Sequence, residues 1–149
     1  MREMSEEGKA FIKRREALLL TPTWDKIGEV WNIGFGHVYK DDEPHVNITP
    51  AEGHALFDVD IHYRSDFVDE RIKVETTQAM FDACCSLAYN IGTDRFASSS
   101  ILLYLNDARY ADAAVSFLLY RIAKGQYVEG LLKRRAAEMV MFAEGIYLP

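Results

Sequence analysis

WNIGFGH, Trp31 to His37, breaks into a chain that otherwise reads as helical. Its two glycines, Gly34 and Gly36, alternate with apolar residues. Each glycine would cost a helix interior about 1 kcal/mol, and each removes side-chain packing from a strand interior. Glycine suits places where the main chain bends sharply or where another group must come close. Val30, Trp31, Ile33 and Phe35 favour extended backbone, and Pro22, Gly28, Gly34 and Gly36 punctuate the same region. The reading is a small antiparallel sheet, with a bulge at a sheet edge as the plainer use of the glycines.

On either side of this stretch the helical period returns. Upstream, Ser5 can cap a first helix with Glu6 and Glu7 in its first turn, running to about Ala17 with Phe11 and Leu18 turned inward. Downstream, Thr49-Pro50-Ala51-Glu52 matches a capping box with proline at the first helical position and opens a helix to about Glu70. Met80, Phe81, Cys84, Leu87, Ala88 and Ile91 recur at helical spacing and stop at Gly92, a natural C-terminal glycine. Further helices are expected over about 98–105, 107–122 and 129–143. The expected class is α+β and mostly helical. Residues 1–149 form one domain, a small β lobe at about 19–48 follows the first helix, and the cleft between lobes is the default site.

A chain of 149 residues that is 49% hydrophobic can bury a sizeable core without metal or disulfide support. Its formal charge of -6 and pI near 5.2 argue against nucleic acid as the main partner. The charge is uneven: residues 41–70 hold nine acids and one base, whereas 120–135 hold five bases and one acid. An anionic ligand would prefer the second region. Cys84 and Cys85 are adjacent, a poor geometry for a mutual disulfide, so they read as free thiols of a reducing compartment. His37, His45, His54 and His62 fall eight or nine apart, not at the short spacing that places two ligands on one helix face, so neither a metal nor another cofactor is expected. The N-terminus carries charges throughout, and no segment approaches membrane-span length. The expectations are synthesis in the cytoplasm without a signal peptide, and no stable membrane insertion.

Two carboxylates have the spacing to face one another across such a cleft. Glu16 ends the first helix, and Asp25 lies nine positions on in the first irregular segment. Carboxyl groups in different settings divide naturally into acid and base: the desolvated one keeps its proton, and the wetter one stays ionised and acts on water. By spacing alone Glu16 reads equally as a surface residue balancing Arg14 and Arg15.

FIKRREALLL around Glu16, then Asp25, WNIGFGH, ITPAEGHALFDVDI, QAMFDACCSLAYNIG and GLLKRRAAEM follow in an order and spacing that cover nearly the full length. Together they resemble the phage-type lysozymes and endolysins of glycoside hydrolase family 24. The resemblance implies a lysozyme-like fold and a peptidoglycan hydrolase that cuts the β-1,4 bond between N-acetylmuramic acid and N-acetylglucosamine during host cell lysis. It also implies a Glu, Asp and Thr triad. Glu16 matches the general acid and Asp25 the carboxylate that acts on water, while Asn32 stands where the family usually has threonine. Asparagine offers both an acceptor and a donor, so Asp25 and Asn32 would hold water on the face opposite the leaving group, giving inversion.

Under this resemblance, Gly34 and Gly36 let the strand carrying Asn32 pass close to the first helix, and His37 comes near Glu16 to order it. Arg135, with Arg134, steers an anionic glycan or pairs with Glu16 from the last helix. The implied partners are glycan strands of the periplasmic wall. The implied state is a monomer, released by a holin or carried by a virion. The other reading is a lysozyme-fold glycan-binding or virion structural module in which Asn32 marks lost hydrolysis.

Overall fold

The computed structural model describes residues 1–149. Ser5 starts the first helix by accepting the Gly8 N–H at 3.0 Å, and acidic side chains fill the first turn of α1 (Glu6–Arg15). The helix stops where Glu16 turns extended (φ -106°, ψ 129°). Three antiparallel strands follow, β1 (Leu19–Asp25), β2 (Val30–Gly34) and β3 (His37–Val38), in the order β1-β2-β3. Asp25 pairs with Val30 and Thr23 with Asn32, while Asn32 faces Val38 on the other side. The capping box at Thr49 forms in full: Glu52 donates its N–H to Thr49 Oγ1 at 3.2 Å, and Thr49 donates its own to Glu52 Oε2 at 2.7 Å. It launches α2 (Pro50–Arg71).

The centre of the molecule is α3 (Gln78–Ile91), capped by Thr77 and ended by Gly92 at φ 93°. Every residue from Phe81 to Tyr89 on it is buried, and α1, α2, α4 (Thr93–Ala97) and α7 (Glu129–Glu144) pack around it. Phe11, Phe57, Phe81, Phe96, Phe117 and Phe142 close the core, each side chain contributing about 1.5–3 kcal/mol by burial. Cys84 and Cys85 are buried free thiols. No helix is long and apolar enough to cross a membrane.

Between these elements lie α5 (Ser100–Asn106), α6 (Tyr110–Ser116) and a 3-10 turn at Phe117–Leu119. Here the structure departs from the expected helix over 107–122. Ala108 takes a left-handed conformation (φ 56°), which delays the helix, and a small hairpin, β4 (Ile122–Ala123) with β5 (Gln126–Tyr127), replaces its end. Lys124 (φ 49°) and Gly125 (φ 73°) are both left-handed, as a tight type I′ turn requires. The short α4 was likewise not among the expected helices.

Candidate active site

Glu16 occupies the point where α1 gives way to the sheet, so its position follows from a helix terminus. Its Oε1 accepts from Arg134 Nη1 of α7 at 2.5 Å. Arg134 is held in turn: its Nε lies 3.2 Å from Glu138 Oε1, one helical turn on. Glu138 is fully buried and also takes Ser86 Oγ of α3 at 2.7 Å and Arg135 Nη2 at 2.9 Å. Four charges thus alternate in a line, Glu16, Arg134, Glu138, Arg135, in a desolvated seam where each needs its partner. The pairing expected from the last helix is made by Arg134, and only the part given to Arg135 is corrected. Arg134 meets Glu16, while Arg135 is fully buried and turned to Glu138, because neighbouring residues on a helix point about 100° apart.

Asp25 ends β1, and its Oδ1 accepts the Ile27 N–H at 2.9 Å, a local turn that fixes the carboxylate at the mouth of the hairpin. It opens on a cavity of about 440 Å³ with Gly28, Asn90, Tyr120 and Leu131 among its walls. Glu16 opens on one of about 470 Å³ with Arg15, Asn90, Leu131 and Arg134. The two share Asn90, Val128 and Leu131, so they are adjoining stretches of one groove between the sheet and the helices. At the Asp25 end, Glu29 of the first hairpin turn reaches Lys124 of the β4–β5 turn at 3.1 Å.

Asn32 lies on the same face of the sheet as Asp25, because Thr23 opposes Asn32, Asp25 opposes Val30, and side chains alternate along a strand. Its Oδ1 is buried and accepts no hydrogen bond from the protein. On the opposite face Trp24 and Trp31 pair edge-on at 5.7 Å, both partly exposed.

The glycines divide their work. A Cβ on Gly34 (φ 64°) would sit 3.6 Å from the carbonyl oxygen of Gly53, so the close approach there is to α2, not to the first helix as expected. A Cβ on Gly36 (φ 86°) would sit 3.5 Å from Glu16 Oε2, so only this glycine brings the strand turn against the acid. Between them, the Phe35 carbonyl accepts the Tyr89 hydroxyl at 2.6 Å, which pins the turn to α3. Burial raises that tyrosine's pKa well above its ordinary value, so it stays a donor.

His37 does not come to Glu16. Its Nδ1 lies 2.8 Å from Asp60 Oδ2 of α2 and its Nε2 3.1 Å from Glu43 Oε2, which occupies both ring nitrogens. The hydrogen bond to Asp60 raises the His37 pKa against the opposing effect of burial, with Glu43 adding to the rise. Its place is therefore between the sheet and α2, at one remove from the groove.

Sequence reading missed Asn90 as a shared wall of both cavities, although its position at the end of an apolar helix face, just before Gly92, marked it as a polar group on a core element. It also missed Glu138, the one acid between Glu129 and Glu144 in the last helix.

The family model described as phage lysozyme matches residues 13–138. The endolysin of Salmonella phage P22 is 35% identical over 146 residues, covering 95% of this chain and 99% of that protein. The endolysin of Bacillus phage PZA is 36% identical over 148 residues, covering 96% of this chain, and the chain spans only 56% of that relative's length. Among solved structures, the endolysin from Escherichia coli O157:H7 phage FAHEc1 superposes with a TM-score of 0.87 at 28% identity, covering 99% of this chain and 98% of that one. With a match across most of its length and relatives of this likeness, the chain belongs to the phage lysozyme family.

Proposed function

We propose that the chain is a peptidoglycan hydrolase, a muramidase that cleaves the β-1,4 bond between N-acetylmuramic acid and N-acetylglucosamine by an inverting acid/base reaction in host cell lysis. The observation that carries this reading is the single groove onto which Glu16 opens from the end of α1 and Asp25 from the hairpin, in a chain of the phage lysozyme family.

In this reading the glycan lies along the groove, and Glu16 gives its proton to the glycosidic oxygen as the bond to C1 breaks. Water attacks C1 from the far face and passes a proton to Asp25, so the product sugar is inverted. The Ile27 N–H occupies Asp25 Oδ1 and leaves Oδ2 for that water. Asn32, on the same face of the sheet as Asp25, is the second side chain assigned to hold it, and its Oδ1 is engaged by no protein donor. A carboxylate pairs with guanidinium in its ionised form, so Arg134 must loosen from Glu16 before the acid can act. Gly36 brings the strand turn against Glu16, while His37 and Arg135 act through packing: one ties the sheet to α2, the other aligns Glu138 and hence Arg134.

The same reading takes the chain as a monomer made in the host cytoplasm that reaches the periplasmic wall by holin release or virion carriage. A turbidity assay on outer-membrane-permeabilised Gram-negative cells tests the central assignment. Clearing by the unaltered chain that falls at least about a hundredfold in Glu16→Gln supports hydrolysis. Glycan binding without clearing would instead favour a binding module.

A further inference from the structure

Tyr89 lines neither cavity of the groove, yet its hydroxyl reaches the turn that walls the acid. A phenylalanine would fill the same space on α3; only the hydroxyl, 2.6 Å from the Phe35 carbonyl oxygen, sets the tyrosine apart. Packing fixes the direction of that hydroxyl. The ring lies 5.5 Å from the Phe57 ring and carries the Arg64 guanidinium 4.6 Å above it, and Arg64 is itself tied to the Asp60 carbonyl at 3.0 Å.

Phe35 has a separate anchor for its side chain. Its ring is buried, edge-on to Phe57 at 5.7 Å and to His54 at 5.0 Å, so it stays in place whether or not its carbonyl is engaged. The hydroxyl adds a different constraint. In a trans peptide the C=O and the following N–H are coplanar and opposed, so aiming the Phe35 carbonyl at α3 sets the plane of the Phe35–Gly36 bond. A glycine can adopt many other planes, and Gly36 at φ 86° is held to this one. The plane matters because a Cβ on Gly36 would lie 3.5 Å from Glu16 Oε2, the oxygen that Arg134 does not engage. One oxygen of the acid is thus fixed by a guanidinium, and the other faces main chain that Tyr89 holds.

We propose that Tyr89 is a positioning residue for the acid: through the Phe35 carbonyl it holds the Gly36 turn against Glu16 Oε2 and keeps the carboxyl aligned with the glycosidic oxygen. The proposal rests on the muramidase reading given above. Because Tyr89 is buried and outside both cavities, it acts on turnover and not on glycan binding.

Steady-state cleavage of soluble, uncrosslinked peptidoglycan strands is compared for wild type, Tyr89→Phe, Gly36→Ala and the double variant, all well below the lowest Tm. Ile101→Val, a core change on α5 that touches neither cavity, controls for lost stability. Tyr89→Phe should lower kcat about tenfold and leave KM within about twofold, as displacement of a reacting group does. Gly36→Ala strains the same left-handed turn, so in its background Tyr89→Phe should cost less than about threefold more. Ile101→Val should keep the wild-type kcat. Unchanged kcat in Tyr89→Phe, a loss carried by KM, an equal fall in Ile101→Val, or independent effects in the double variant would each overturn the positioning role. Strands left uncut by the unaltered chain would instead overturn the muramidase reading itself.

Discussion

Glu16 and Arg134, separated by 118 positions in the chain, meet at 2.5 Å across the junction of α1 and α7. The contact ties the candidate acid to the last helix, and through Glu138 and Ser86 to the central one. Arg134→Gln leaves Glu16 without its cation and takes one of two guanidinium groups from Glu138, which keeps Arg135, at a cost of roughly 1.5–3 kcal/mol. At this chain length that corresponds to a drop in Tm of roughly 3–12 °C. Arg134→Lys keeps the charge but loses the forked geometry and should fall between wild type and Arg134→Gln. Calorimetry on the pair of variants checks this, and equal Tm values for all three proteins would show that the seam is not coupled.

The two glycines of WNIGFGH should respond differently. A left-handed backbone costs an L-residue about 1–2 kcal/mol, so both Gly34→Ala and Gly36→Val lose stability. A Cβ at Gly36 would already touch Glu16 Oε2 at 3.5 Å, and the branched carbons of valine extend past it, so only Gly36→Val should lose activity beyond what its Tm explains. Clearing rates measured well below both Tm values separate the effects, and a normally folded, fully active Gly36→Val would refute the close approach.

Much of the fold was legible because its signals are local. Ser5, the Thr49–Glu52 box and Gly92 act within one helical turn, and the structure uses each as its chemistry suggests. The hairpin at Ile122–Tyr127 was not legible: its strands are two residues each, too short for an alternating pattern, and Lys124 gives no hint of a left-handed backbone. The site divides the same way. Glu16 and Asp25 sit at element boundaries that the sequence marks. Which of two adjacent arginines reaches Glu16 depends on the rotation of α7 about its axis, which only packing against α3 determines. His37 was drawn to carboxylates at Glu43 and Asp60, and nothing in the sequence ranks these above the other acids of residues 41–70.

Asn32 should prove replaceable by a hydroxyl but not by a methyl. Asn32→Thr keeps an acceptor near the same place and is expected to remain within about tenfold of wild-type rate. Asn32→Ala removes the acceptor and should fall about a hundredfold, the effect of misplacing a reacting water by roughly 1 Å. Initial cleavage rates on sacculi check this, and wild-type rates in Asn32→Ala would remove the residue from the reaction.

The His37 pair with Asp60 predicts a pH-dependent contribution to stability of definite sign. Because folding raises the histidine pKa, the contribution is fully present below the unfolded value near 6.5 and is lost as pH rises through the folded one. Glu43 is opposite: its pKa is lowered, first by the Lys40 N–H and then by His37, so its share is present above the usual carboxylate range and lost in acid. His37→Gln should therefore lower Tm by several degrees at pH 6 and by distinctly less at pH 9. Equal losses at both pH values would reduce the histidine to a packing residue.

The roles assigned to Glu16, Asp25 and Asn32 meet in the configuration of the new reducing end. Proton NMR of a short peptidoglycan glycan, recorded as the first bonds break and before mutarotation, reads it directly. The α-anomer of N-acetylmuramic acid as first product is the expected result. A β-anomer would mean a covalent or otherwise retaining route, and an anhydro sugar formed without water would mean that no water is held at the Asp25 end of the groove.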